Sequence, residues 1–261
     1  MKLVKLVAPA LLLVAAACSN STMGTVGFSL TSRTAASPAP SAALTSGAAA
    51  VLSVATTGDS TVIALGNDTV IVRSAQLVLR KVELKRSDVA SCDAIEGNDD
   101  CEEFETGATL VSLPLGSALI TQQVSVAVPA GTFNALEFEI HKPSSSDDAT
   151  FIAANPDFAS ISIRVTGTYS QSGTRSTFTF TSDVNQSEES SLVPPVTVQE
   201  GQTLSVTLRV DISGWFLNGA KTALVDPASA NKGQPNESVV ANNIQNSFDA
   251  FEDDNHDGLE G

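Results

Sequence analysis

Hydrophobic residues recur at every second position through much of this chain. Leu204, Val206, Leu208, Val210 and Ile212 form the longest such run. Leu136, Phe138 and Ile140 alternate with Glu137, Glu139 and His141, and Val82 and Leu84 alternate with Lys81, Glu83 and Lys85. A period of two puts successive side chains on opposite faces of an extended strand, one face buried and the other wet. Shorter runs lie at Thr61 to Leu65, Thr69 to Val72, Val124 to Val128, Ile161 to Val165, and Phe178 and Phe180 amid threonines. Gly66-Asn67-Asp68 separates two of them as a hairpin signal. Pro129-Ala130-Gly131 is a second turn, in which Pro presets one dihedral and Gly permits a positive one. Many strands divided by such turns predict an all-β fold, an antiparallel sandwich of the immunoglobulin or transthyretin kind.

One short C-terminal helix is expected as well. In Ser238 to Phe251, the residues Val240, Ile244, Phe248 and Phe251 fall on one helical face that packs on the sandwich, with Asn236 or Ser238 as N-cap.

The first seventeen residues read as a secretory signal peptide. Lys2 and Lys5 make a positive start, Val7 to Val14 is apolar, and Ala15-Ala16-Ala17 leads into Cys18. The apolar run is shorter than the roughly 20 residues that span a bilayer. The small residues before Cys18 resemble the bacterial lipobox, with Ala15 where Leu or Val is usual. That resemblance implies cleavage before Cys18 and acylation of its thiol and new amine, which anchors the chain in a membrane. Ser19, in place of Asp, implies the outer membrane by Gram-negative sorting rules. The alternative is an ordinary signal peptide that leaves Cys18 free.

Residues 18–23 would form the lipidated tether. Gly24 to Arg33 reads GTVGFSLTSR, a possible first strand, and residues 34–50 are an uncharged Ala/Ser/Thr/Pro loop or linker. The sandwich proper is assigned to residues 51–251 and an acidic tail to 252–261. Residues 18–261 carry 12 Lys+Arg against 29 Asp+Glu, a formal charge of −17. Phosphate binding needs clustered Lys and Arg, so a nucleic-acid partner is not expected.

Two segments hold 14 of the 29 acids. Asp88 to Glu105 contains Cys92 and Cys101, the pair left after lipidation. In an oxidising compartment they read as a structural disulfide, worth about 2–3 kcal/mol by loop closure. The second segment reads DDNHDGLEG. Asp253, Asn255 and Asp257 with Gly258 match the first half of a Ca²⁺ loop, where alternate oxygens converge on a hard cation. The bidentate Glu that completes such a loop has no place before Gly261, so any site would borrow ligands, from Asp249, Glu252 or elsewhere. A frayed acidic tail is the competing reading. Calcium is the sole cofactor the residues suggest.

No nucleophile elbow, HExxH motif or P-loop occurs. His141 closes a strand and His256 lies in the acidic tail. Trp215, the single Trp, follows the longest strand and reads as a core plug rather than a sugar platform.

Several segments together resemble bacterial lipoproteins that carry an uncharacterised β-sandwich domain. They are the lipobox with its small-residue tether, QLVLRKVEL with the acidic insert after it, VPAGTFNALEFEI, DISGWFLNG, VDP, and NNIQNSFDAFEDDNHDG. The resemblance spans most of residues 58–258 and implies a fold and a location without an assigned activity. The expected function is a membrane-anchored structural or interaction domain with a protein or glycan partner at the cell surface. A carbohydrate- or ligand-binding module and a hydrolase with a dispersed site are the alternatives. Exposed aromatics beside a groove would favour the former alternative, and His141 buried against a Ser or carboxylate the latter.

Overall fold

In chain order the strands of the computed structural model are β1 (Met23–Thr31), β2 (Leu52–Thr57), β3 (Ser60–Leu65), β4 (Asp68–Arg86), β5 (Glu102–Glu103) and β6 (Thr109–Ser112). They continue with β7 (Thr121–Pro129), β8 (Gly131–Ile140), β9 (Ile163–Gln171), β10 (Thr174–Ser182), β11 (Gln186–Val198), β12 (Thr203–Val210) and β13 (Phe248–Glu252). Two helices, α1 (Ala149–Ala154) and α2 (Glu237–Gln245), accompany them. The structure describes residues 23–32, 51–86, 102–103, 107–116 and 121–252. Cys18, the Cys92 and Cys101 pair, and Asp253, Asn255 and Asp257 lie outside those residues.

The strands form two open sheets, so the all-β sandwich expected from the alternation is the fold. One sheet has the order β13-β12-β1-β7, and the other has nine strands built around β4. The first half of β4 pairs with β3 and β9, and its second half pairs with β8, which in turn pairs with β11. The inward alternate residues fill the space between sheets. Val26, Phe28 and Leu30 of β1, Val206 and Val210 of β12, and Leu136, Phe138 and Ile140 of β8 are all buried.

The stretch left open as strand or linker, Gly24 to Arg33, supplies β1, which sits between β12 and β7 inside the four-stranded sheet. Its pairing with β12 is parallel, from Thr25 opposite Thr203 to Thr31 opposite Arg209. The other described strand pairs are antiparallel. At its start β1 is clamped: Gly201 N–H donates to the Met23 carbonyl at 2.9 Å, and Thr25 N–H to Gln202 at 2.8 Å. Gly24 is required there, since a Cβ would stand 2.2 Å from Val198 Cγ1 and 2.7 Å from the Gln199 carbonyl.

Pro129-Ala130-Gly131 is a turn, and it carries the chain from β7 in one sheet to β8 in the other. Residues 199–202 make another crossing, from β11 to β12.

The C-terminal helix is shorter than its periodicity predicts. It ends at Gln245, and Phe248–Glu252 is a strand on β12. Asn242, Asn243 and Asn246 are weak helix formers, and the open edge of β12 offers backbone partners that a further helical turn cannot match. Phe248 and Phe251 therefore face opposite ways. Phe248 meets Phe138 edge-on at 5.9 Å between centroids, and Phe251 lies under the Arg209 guanidinium at 5.3 Å.

The outer edge of β10 is closed by a side chain. Asn231 accepts from Thr181 N–H at 2.8 Å and donates to the Thr179 carbonyl at 3.2 Å, as a neighbouring strand would.

Candidate functional site

Beyond the end of β12 the chain makes a short 3-10 turn, Ile212–Gly214, because Asp211 accepts from Ser213 N–H at 2.9 Å. An Asp two residues before a Ser is the local signal for that turn. Trp215 follows, 1% exposed, and its indole N–H donates to Ser247 Oγ at 2.8 Å. Asn243 of α2 donates to the carbonyls of Trp215 and Leu217 at 3.1 and 2.7 Å. These bonds tie the 3-10 turn, α2 and the approach to β13 into one corner.

That corner holds a cleft of about 410 Å³, lined by Asp211, Gly214, Leu217, Lys221, Asn243, Asn246 and Ser247. Pockets of that order accommodate small molecules. The bonds that build the corner use the inner valences of its polar side chains. Asp211 Oδ2, Asn243 Oδ1 and Asn246 Oδ1 have no hydrogen-bond partner among the described residues. Lys221 stands in the left-handed region at φ +56°, a backbone state costing a non-glycine residue roughly 1–2 kcal/mol. Thr222 and Ala223 N–H bonded to Asn218 Oδ1 hold the loop in that shape. The cleft thus offers three oxygen acceptors and one ammonium, chemistry suited to a ligand rich in hydroxyls.

A second polar feature is the ionic belt on β4, β8 and β11. Glu83, Glu137 and Glu189 form one cross-strand row. Lys81 Nζ meets Glu83 at 2.6 Å, and Lys85 Nζ meets Glu189 at 2.6 Å and Glu137 at 3.1 Å. The hydrogen bond to Glu189 and the Glu137 charge hold Lys85 protonated well above the ordinary lysine range, against a smaller cost of burial. Burial pushes the Glu137 carboxyl up, but bonds from Lys85 and Ser187, with the charges of Lys85 and Lys81, outweigh it and lower its pKa. Glu83 is 2% exposed, and its Oε1 has no hydrogen-bond partner. Each of the belt's three carboxylates is already paired with a lysine. Among the described residues no group of three or more His, Cys, Asp or Glu is placed to hold a metal.

The residues singled out from the sequence fall in separate places. His141 bonds the Lys142 carbonyl through Nδ1 at 2.5 Å and makes no hydrogen bond to a serine or carboxylate among the described residues. Trp215 is a buried plug beneath the cleft, as expected, and no exposed aromatic row occurs among the described residues. Asp249, proposed as a borrowed calcium ligand, is engaged by the Arg209 guanidinium. Glu252 ends β13. The cleft itself was not foreseen, because its lining is contributed by scattered Asp, Lys, Asn and Ser positions that make no motif.

No protein-family model matches the chain, and neither curated proteins nor solved structures supply a match.

Proposed function

We propose that the protein is an exported, lipid-anchored β-sandwich that works by presenting a surface at the outer membrane, not by catalysis. The observation that carries this reading is the run from Lys2 to Cys18, a signal peptide ending in small residues and a cysteine, a few residues before the strand that starts at Met23. A folded domain so close to a lipidated cysteine has its position set by the membrane. Intact-mass measurement on membrane-extracted protein tests it. The expected species lacks residues 1–17 and carries a triacyl-sized addition on Cys18. An unmodified chain in the soluble fraction sinks the proposal.

A second reading, a module that binds a small hydroxylated ligand, is supported by the cleft at Asp211 and Lys221. Trp215 is the single Trp and is bonded to the cleft residue Ser247, so its fluorescence reports on occupancy. Titration with a panel of simple sugars should give a saturable change that Asn246→Ala weakens. A flat response across the panel removes this reading.

A further inference from the structure

We infer that the end of the sandwich where β1 begins lies against the bilayer and that the cleft faces the aqueous side. This inference rests on the lipid anchor at Cys18 proposed above. Residues 19–22 separate Cys18 from Met23. The span from Cys18 to Met23 reaches at most about 18 Å when fully extended. The clamp on β1 keeps that leash from lengthening: the Met23 carbonyl is bonded to Gly201 N–H, Thr25 N–H to Gln202, and Gly24 is wedged against Val198 and Gln199. Met23 itself is 37% exposed, one of two exposed large hydrophobic residues among those described.

The parallel register then sets direction. Thr25 lies beside Thr203 and Thr31 beside Arg209, so both strands leave the anchored end together. Asp211 and the cleft lie past the far end of β12. Eight residues of strand separate Thr203 from Asp211, an offset of about 26 Å. The leash is shorter than that offset. The anchored end also gathers the turn at 199–202, the Pro129-Ala130-Gly131 crossing, and Arg86, whose guanidinium lies beside Gly131.

The test uses the full lipidated protein in phosphatidylcholine vesicles that carry a headgroup dye. A fluorescent amino acid is placed at Glu200 or at Ala220, both exposed. Flotation with the vesicles checks the anchor separately. Energy transfer to the dye should be roughly threefold greater from position 200 than from 220, given an offset near 26 Å. Equal transfer, or more from 220, in protein that floats overturns the orientation while leaving the anchor standing. Protein that does not float overturns the anchor and the orientation with it.

Discussion

Ser247 Oγ accepts the indole N–H of Trp215 at 2.8 Å and passes its own proton toward the Ile244 carbonyl at 2.6 Å. One hydroxyl thereby closes the end of α2 and fixes the plug of the core. Ser247→Ala leaves the indole N–H without its partner and should cost about 1–2 kcal/mol, at the lower end where cleft water reaches the site. Urea unfolding followed by Trp215 emission reads this directly. An unchanged midpoint would mean that the bond contributes nothing net.

Lys81→Met should destabilise more than the double variant Lys81→Met/Glu83→Leu. The single change leaves a carboxylate that is 2% exposed without its 2.6 Å partner. Breaking a fully buried pair costs about 3–5 kcal/mol, and because Lys81 reaches solvent a loss of about 1–3 kcal/mol is expected here. The double variant swaps the pair for apolar side chains and should recover most of it. Denaturant midpoints of the two variants decide the matter, and an additive double result would show that Glu83 and Lys81 are not coupled.

Acid should unfold the protein through Glu137 and Asp183. Both carboxyls have lowered pKa values: at Glu137 burial is outweighed by bonds from Lys85 and Ser187 with the charges of Lys85 and Lys81, and at Asp183 by the bond from Lys232. A group whose folded pKa is depressed stabilises above its unfolded value and loses that contribution as pH falls through the folded one. Stability should therefore decline below about pH 4, where free carboxylates titrate. Lys85 has the opposite sign, and its contribution is lost only in strong alkali. Lys85→Met should flatten the acid limb of a plot of urea midpoint against pH. An unaltered slope would detach Glu137 from that limb.

Asn231→Asp keeps the oxygen that accepts from Thr181 but turns a second carboxylate oxygen toward the carbonyls of Thr179 and Ala228. A loss of about 1–2 kcal/mol is expected, together with greater self-association as the edge of β10 opens. Sedimentation and thermal melts of the variant provide the check. A monomer with wild-type melting would show that Asn231 does not guard this edge.

The strands were legible in the sequence because a half-buried sheet imprints its pleat on every second residue, as in Leu204 to Ile212. What escaped was set by distant partners. Val240, Ile244, Phe248 and Phe251 fit a helical face, yet the last two obey the free edge of β12, which lies far back in the chain. The turn at Pro129 could be read, but not its crossing between sheets, since that depends on where β1 inserts. The cleft had no local imprint beyond the Asp211-Ile212-Ser213 signal. Its lining comes from Asp211, Lys221 and the Asn243 to Ser247 stretch, brought together by the corner around Trp215.

The parallel seat of β1 also governs the order in which the molecule can be made. Val26, Phe28 and Leu30 are among the first core residues synthesised, and their partners Leu204, Val206 and Leu208 are among the last. Until β12 emerges, β1 can pair only with β7, and its other edge stays open. Such long-range closure is slow and exposes the chain to aggregation, so a holdase has a long interval in which to act. The same delay keeps the chain threadable. On the export proposed above, passage through a secretion channel is helped when one edge of the first strand stays open until nearly the last strand has arrived.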